Sequence, residues 1–360
     1  MLEARVNSFI DSDGGSEPFE RLALDVFAYQ HDRVPAYANL CERRGVDRDS
    51  VTTWRDIPAM PADAFKYDLG LTDERPHVFA SSGTTAGAEL RSRHALTTLE
   101  TYRRSALAHF RAMVLPDNPG PMAVLLLGPS AESHAESSLG RMFSWCIDAF
   151  GSEKSAVAFG SDGNVDLEVA VDWLRRRAEG CEPVLLLAVT SAISALFDEL
   201  RDRRLALRLP ADSRLVDTGG KKSGAGDTRA LSARGVLKAA WRSLHVPSYC
   251  CVNEYGMTEM LSQFYDDALL SRADGSLTPR AKVGPHWVRT LIVDPATLEP
   301  VADGEPGLLR HIDLANWESI SAIQTLDMGR RLGRGFELLG RAGGAETRGC
   351  SQLLETIVAR

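Results

Sequence analysis

Short apolar runs alternating with amphipathic helical patterns constrain this chain more than any other feature. MAVLLLG (122–128), PVLLLAVT (183–190), SRLVDTGG (213–220) and HVPSYCCVN (245–253) each hold an apolar or β-branched stretch of strand length, and several end at glycine or proline. Between them, DLEVAVDWLRRRAEG (166–180) and AISALFDELRDRR (192–204) repeat apolar positions at helical spacing. A parallel strand pair needs a long crossover, and a helix supplies it, so the pattern predicts a layered α/β domain. In such a sheet, ligands gather at the carboxyl ends of the strands, and the strand-end loops are where chemistry is expected.

The flanks differ in texture. FERLALDVFAYQ (19–30) and VPAYANLCERRG (34–45) read as helices, and the proline-punctuated IPAMPADAFK (57–66) follows them. LETYRRSALAHFRAM (99–113) is a further helical pattern. From about residue 285, short strands and turns take over, as in TLIVDPATLEPVADGEPGLL and GFELLGR, which suits a β-rich subdomain. The chain thus divides into a helical N-terminal segment (1–75), an α/β nucleotide-binding core (76–284), a β-rich subdomain (285–341) and a short C-terminal tail (342–360).

Composition removes several function classes. A net charge of −8 argues against binding that rests on neutralising nucleic-acid phosphates. No apolar run approaches the roughly 18 residues that would span a bilayer, and MLEARVNSF lacks a signal-peptide core, so a cytoplasmic location is expected. The six cysteines are scattered without a CxxC pair, which points to reduced thiols rather than disulfides or zinc. The eight histidines form neither HxxxH nor HExxH, and there is no GxSxG elbow.

Three stretches carry candidate chemistry. In VFASSGTTAGAELRSRH (78–94), an apolar strand runs into Ser81, Ser82, Gly83, Thr84 and Thr85, whose hydroxyls and unobstructed amides suit a polyphosphate. A surface Ser/Gly turn has the same composition, and the G-x4-GK[ST] spacing of a Walker loop is missing both here and at GGKKSG (219–224). In NEYGMTEM (253–260), Glu259 suits a hard cation such as Mg2+, or a helix cap. In TLDMGRRLGRGFELLGR (325–341), Asp327 suits ribose hydroxyls and Arg341 a phosphate, or else a turn residue and a surface cation.

The order SSGTT, YGMTE, D-x-G turn and GFELLGR resembles the adenylate-forming superfamily of acyl and aryl CoA ligases, carrier-protein adenylation domains and luciferases. More narrowly, the chain resembles the acyl-protein synthetase branch, the LuxE-type proteins of bacterial luminescence, and is also similar to the adenylating protein of phenazine antibiotic pathways. That narrower likeness runs through FAYQHDRVPAYANLCERRGV, DIPAMPADAFK, VFASSGTTAG, LLLGPSAESHAESSLGRM, LVDTGGKKSG, VNEYGMTEMLSQFYD, DLANWESISAIQTLDMG and GAETRGCS. It implies an α/β fold: a layered adenylate-forming N-terminal domain with a β-rich subdomain.

The resemblance also implies roles. Ser81, Ser82, Gly83, Thr84 and Thr85 would hold the β and γ phosphates of ATP, and Gly219 and Gly220 would precede an adenine-binding segment. Tyr255 and Gly256 would lie beside adenine, Thr258 at the α-phosphate, Glu259 on Mg2+ and Asp327 on ribose, with Arg341 on the strand that leads to the superfamily's hinge. A carboxylate oxygen would attack the α-phosphorus and expel pyrophosphate, so positioning and charge neutralisation carry the step and no general base is needed. The acid, fatty or aryl, would sit near PSAESHAESSLGRM, where His134 and Ser137 are hydrogen-bonding candidates.

The sequence departs from the pattern at two places. The phosphate loop lacks its closing lysine, Ala86 to Glu89 standing there instead, with Arg91 and Arg93 as the first cations. The superfamily's C-terminal lysine-bearing domain is expected to be missing or strongly truncated, since the chain stops at Arg360; Lys66, Lys221 and Lys222 are then candidate stand-ins. Lys221 and Lys222 are favoured because they follow the nucleotide-side glycines, with solvated surface lysines as the alternative. In the acyl-protein synthetases a cysteine near the C-terminus takes the acyl group from acyl-AMP as a thioester. Cys350 in RGCSQLLE matches it, with Arg348 placed to favour the thiolate, whereas Cys250 and Cys251 read as core.

The reading is therefore ATP- and Mg2+-dependent activation of a carboxylic acid, followed by transfer to a thiol. The partners in view are the acid, an acyl-acceptor, reductase or transferase protein, and a second copy of the chain as a homodimer. A CoA ligase resembling phenylacetate-CoA ligase and a non-catalytic nucleotide- or acyl-binding subunit are the rival readings.

Overall fold

The computed structural model of the protein describes residues 1–342 except 13, 72, 82–90, 220–229, 274 and 276–278. The chain forms two units: the first takes in residues 1–108, 256–263 and the described part of 283–360, the second 109–255 and 264–282.

The first unit opens with α1 (Leu2–Asp11), α2 (Phe19–Arg33) and α3 (Pro35–Arg43). Pro35 sits in the first turn of α3, where a residue without an amide hydrogen is tolerated, and so separates α3 from α2. Phe9, Leu22, Val26, Phe27, Tyr37 and Leu40 bury the inner faces of these helices. Gln30 uses its whole side-chain amide: Nε2 donates to the carbonyls of Asn316 (2.8 Å) and Trp317 (3.0 Å), while Oε1 accepts from the Ser321 amide and hydroxyl. One fully buried polar group thereby fastens α2 to the turn at 313–321 without leaving an unpaired atom. The two-residue β1 (Met60–Pro61), the hairpin of β2 (His77–Ala80) and β3 (Arg93–Leu96), and the start of α4 (Glu100–Val114) follow.

The second unit is the alternating part. It runs β4 (Ala123–Leu127), α5 (Ser138–Phe150), β5 (Ala156–Val157), α6 (Leu167–Ala178), β6 (Val184–Val189), α7 (Thr190–Asp202), β7 (Arg214–Thr218), α8 (Ala233–Leu244), β8 (Cys251–Tyr255), β9 (Phe264–Asp266) and α9 (Ala268–Ala273), and leaves through Lys282 of β10 (Lys282–Val283). The strand order is β9-β8-β7-β6-β4-β5, parallel from β8 to β5, with β9 antiparallel to β8. Val124 to Leu127 and Leu185 to Ala188 are buried on both faces, as continuous apolar strands between helical layers must be. The chain passes from β4 outward to β5 and then back to β6, so strand order reverses between β4 and β6. Such a reversal marks the carboxyl ends of these strands as the expected place for a ligand.

The first unit resumes with β11 (Val288–Val293), β12 (Pro306–Asp313), β13 (Ala322–Leu332) and β14 (Gly335–Arg341), an antiparallel meander onto which β1 pairs in parallel through β13. At Gly329 a Cβ would stand 2.5 Å from Leu309 Cδ2 and 3.1 Å from the Glu337 carbonyl, so a larger residue there would push the buried Leu309 side chain aside. The α/β alternation and the β-rich part that the sequence implies are both present. Among the described residues, no helix is long and apolar enough to cross a membrane.

Candidate active site

The neck of the Ser/Gly/Thr stretch is built at the connecting end of the β2–β3 hairpin, next to the pair Ala80 and Arg93. The Ser81 amide donates to the Ser92 carbonyl (3.0 Å), and the Ser92 amide donates back to Ser81 Oγ (3.1 Å). Arg91 donates from Nε to the Ser81 carbonyl (2.5 Å) and from a terminal nitrogen to the Ala80 carbonyl (3.4 Å). Of the first two cations after the loop, Arg91 is thus engaged in clamping the neck, while Arg93 is exposed. Ser82, Gly83, Thr84 and Thr85 lie outside the described residues.

The acid-bearing turn is held from several sides within the same unit. His94 Nδ1 lies 3.0 Å from the Thr258 carbonyl, which only accepts, so Nδ1 carries the proton and Nε2 accepts from the Ser319 hydroxyl at 2.7 Å. Burial holds His94 down at about 4, so the ring is neutral. Asn316 donates to the Glu259 carbonyl (2.8 Å) and accepts from the Leu261 amide (2.9 Å). Asp313 accepts from the Ser262 hydroxyl (2.7 Å), and Ser105 donates to the Leu261 carbonyl (2.9 Å). The Glu259 carboxyl, 9% exposed, is pushed above the ordinary carboxylate range, chiefly by burial. The Ser92 hydroxyl donates to it and opposes that shift, the Asp63 charge adds to it, and the Arg341 charge opposes it.

Asp327 is half-buried and Arg341 exposed, and the two are register partners across β13 and β14. Thr325 Oγ1 accepts from the Asp327 amide at 3.1 Å, which fixes the backbone at that position. Ser81, Thr258, Glu259, Asp327 and Arg341, drawn from three separated stretches of sequence, therefore all belong to one unit.

Of the remaining predicted nucleotide residues, Gly219 follows β7 and Tyr255 ends β8 in the second unit, while Gly256 opens the 256–263 segment of the first. Gly219 has φ +91°, a left-handed conformation suited to glycine. Thr190 Oγ1 lies 3.0 Å from Asp217 Oδ2 and 2.9 Å from the Thr218 carbonyl, and the Thr218 hydroxyl donates to the Glu254 carboxyl. Asn253 Nδ2 donates to Asp217, and Lys282 binds the Asn253 carbonyl and Oδ1, both at 2.6 Å, and Asp266 at 3.0 Å. Burial raises Asp217 to about 6 and Glu254 to about 7, with Lys282 opposing both shifts. Tyr255 packs its ring near Phe264, at 5.8 Å between centroids. Gly220, Lys221 and Lys222 lie outside the described residues, as does Cys350.

Two candidates for the acid have internal duties. Ser137 Oγ accepts from the Gly140 amide (3.0 Å) as the N-cap of α5, and His134 Nδ1 bonds the Ser133 hydroxyl (2.8 Å). Cys250 and Cys251 are buried with raised thiol pKa values, Cys251 at about 12, as core cysteines should be. Sequence reading passed over Ser92, His94, Asp313 and Asn316. For Asp313 and Asn316 the signal available was DLANWESIS itself, in which five of nine residues are polar and every residue is buried.

No group of three or more metal-binding side chains occurs among the described residues. Mg2+ nevertheless suits one carboxylate completed by water and phosphate oxygens, which is the donor set that Glu259 offers.

The fold is shared with proteins solved with an adenylate or with ATP. A 2-hydroxyisobutyryl-CoA ligase solved with 2-HIB-AMP and CoA aligns with a TM-score of 0.62 at 14% identity, over 89% of this chain and 69% of that one. ATP-bound MatB from Rhodopseudomonas palustris aligns with a TM-score of 0.50 at 15% identity, over 82% and 52%. In sequence, the long-chain-fatty-acid–luciferin-component ligase of Aliivibrio fischeri is 22% identical over 315 residues, covering 86% of this chain and 78% of that protein. The Vibrio harveyi protein of the same name is 22% identical over 313 residues, with the same coverage. The fold is therefore that of the ligase solved with 2-HIB-AMP, and the relatives in sequence are named as ligases. Residues 8–358 match the LuxE acyl-protein synthetases, and the chain belongs to that family.

Proposed function

We propose that the protein activates a carboxylic acid with ATP to an acyl-adenylate, releases pyrophosphate, and passes the acyl group to a thiol, its own Cys350. The observation that carries the reading is the gathering of Ser81, Thr258, Glu259, Asp327 and Arg341 in one unit, with the Arg341 charge acting on Glu259. The relatives named for long-chain fatty acids favour a fatty over an aryl substrate.

Asp327 would take the ribose hydroxyls, Thr258 the α-phosphate, and the stretch from Ser81 to Thr85 the outer phosphates. Glu259 would hold Mg2+, which when bound supplies positive charge to the phosphate oxygens. An oxygen of the ionised acid attacks the α-phosphorus and the bond to the bridging oxygen of pyrophosphate breaks. Lys221 supplies a cation from the nucleotide side. Lys66 is a second source, since it pairs with Asp63 at 2.8 Å and the Asp63 charge reaches Glu259. The Cys350 thiolate then attacks the acyl carbon, forming the thioester and releasing AMP. A reductase or transferase partner would consume the thioester, the cell compartment being the cytoplasm.

The test is ATP–pyrophosphate exchange over a panel of fatty and aryl acids, with wild type and Cys350→Ala compared. Acid-dependent exchange in both proteins, with a hydroxylamine-sensitive acyl label on wild type alone, is the expected result. Nucleotide binding without exchange for any acid would overturn the reading in favour of a binding subunit. An acyl label replaced by CoA-dependent AMP release would make it a CoA ligase.

A further inference from the structure

Ser92 and His94 are both nearly inaccessible, at 4% and 1% exposure, and stand two residues apart on an extended stretch. Side chains two apart on such a stretch share a face. That face meets the acid-bearing turn: the Ser92 hydroxyl donates to the Glu259 carboxylate, and His94 Nδ1 donates to the Thr258 carbonyl at 3.0 Å. The backbone of Ser92 does something different. Its carbonyl and amide close the neck at Ser81, at 3.0 and 3.1 Å. Three consecutive residues, 92 to 94, therefore connect the neck of the Ser/Gly/Thr stretch to the turn that presents Thr258 and Glu259.

We infer that Ser92 and the start of β3 act as a strut, in which Ser92 and His94 are positioning residues that fix the Thr258–Glu259 turn relative to the neck at Ser81. The inference rests on the adenylation reading above and goes beyond it, because neither residue touches a reacting atom. In-line displacement at the α-phosphorus requires the outer phosphates and the α-phosphate to be held in one alignment, and a misplacement near 1 Å costs about 10²-fold. The neck is closed by the Ser92 backbone, so removing only the hydroxyl leaves the neck intact and tests the link to Glu259 alone. The far side of His94 is held by Ser319, and that of the turn by Asn316, so the strut works against a rigid frame.

The test uses full-length Ser92→Ala, His94→Asn and His94→Leu. Three quantities are measured: exchange kinetics, binding of Mn2+ with a non-hydrolysable ATP analogue from the electron paramagnetic resonance of free Mn2+, and melting temperature. Ser92→Ala is expected to weaken Mn2+ in the ternary complex about tenfold, the worth of a lost hydrogen bond to a charged group, with metal-free nucleotide affinity unchanged. His94→Leu is expected to lower kcat about 10²-fold at nearly constant KM for ATP. His94→Asn, whose amide nitrogen stands close to the Nδ1 position, restores most of that loss by donating to the same carbonyl. Unchanged Mn2+ affinity in Ser92→Ala overturns the inference, as does a His94→Asn variant as impaired as His94→Leu. Where His94→Leu does not fold, Ser92→Ala decides by itself. A wild type without acid-dependent exchange would bring down the adenylation reading and the inference with it. An active wild type with insensitive variants removes the inference alone.

Discussion

Asp327 on β13 faces Arg341 on β14 as a register pair in the antiparallel meander. Leu326 and Met328, which flank the aspartate, and Ala342, which follows the arginine, pack on the cluster of Val293 and Leu308. Strand alternation therefore turns Asp327 and Arg341 to the opposite face of the ribbon, away from the apolar cluster. Asp327→Ala is expected to raise KM for ATP by about 10- to 100-fold, the equivalent of about 1.5–3 kcal/mol for hydrogen bonds to a charged group, with a smaller change in kcat. An unaltered KM in steady-state exchange would remove Asp327 from the ribose site.

Arg341 and Asp63 act on Glu259 with opposite sign. Metal binding needs the carboxylate, so exchange is lost as pH falls through the Glu259 pKa. Arg341→Leu removes a charge that lowers this pKa and should move the acid limb of kcat/KM to higher pH. Asp63→Asn removes one that raises it and should move the limb to lower pH. Limbs that shift in the same direction in a pH–rate comparison would contradict the placement of the two charges.

Glu254 offers a stability test independent of catalysis. Its carboxyl is raised from 4.5 to about 7, so between those values the native state holds a proton that the unfolded chain has released. Stability attributable to this group is therefore greatest below the unfolded value and declines as pH rises toward about 7. His94, lowered to about 4, changes stability in the opposite sense below its unfolded value, so the slope of wild type alone is not diagnostic. The difference between wild type and Glu254→Gln isolates the contribution of the carboxyl. Urea midpoints should favour the glutamine variant more at pH near 8 than at pH near 5, and the reverse trend would disprove the burial assignment.

The layered part was legible because its strands are buried on both faces. The runs at 122–128 and 183–190 contain β4 and β6, and DLEVAVDWLRRRAEG contains α6, whose Asp166 cap accepts from the Val169 amide at 3.0 Å. The candidate site residues Glu259 and Asp327 stand out in the sequence through the motifs YGMTE and D-x-G. The frame around them does not. Asp313, Asn316 and His94 act through partners distant in sequence, 313 and 316 with 259–262 and 94 with 258 and 319. Long-range polar pairing leaves no periodicity, and single buried polar residues in apolar strands look alike whether they bond to a turn or to one another.

Lys66 closes the short turn Ala62–Lys66 that follows β1, and β1 is anchored on β13 through Met60 opposite Ile323 and Pro61 opposite Gln324. The same strand, a few residues on, carries Asp327. Backbone pairing thus sets the turn that Lys66 closes next to the strand that carries Asp327, and its ion pair with Asp63 leaves both side chains about a third exposed, at 32% and 31%. An exposed pair of this kind contributes under about 1 kcal/mol, so Lys66→Met should change the melting temperature little. A cation at the developing charge matters far more to the reaction: Lys66→Met is expected to lower kcat for exchange about 10²-fold, with Lys66→Arg intermediate. A full rate in Lys66→Met together with a lost rate in Lys221→Met would leave the role to Lys221 alone, and single-turnover formation of acyl-AMP by the two variants, measured side by side, reads that difference directly.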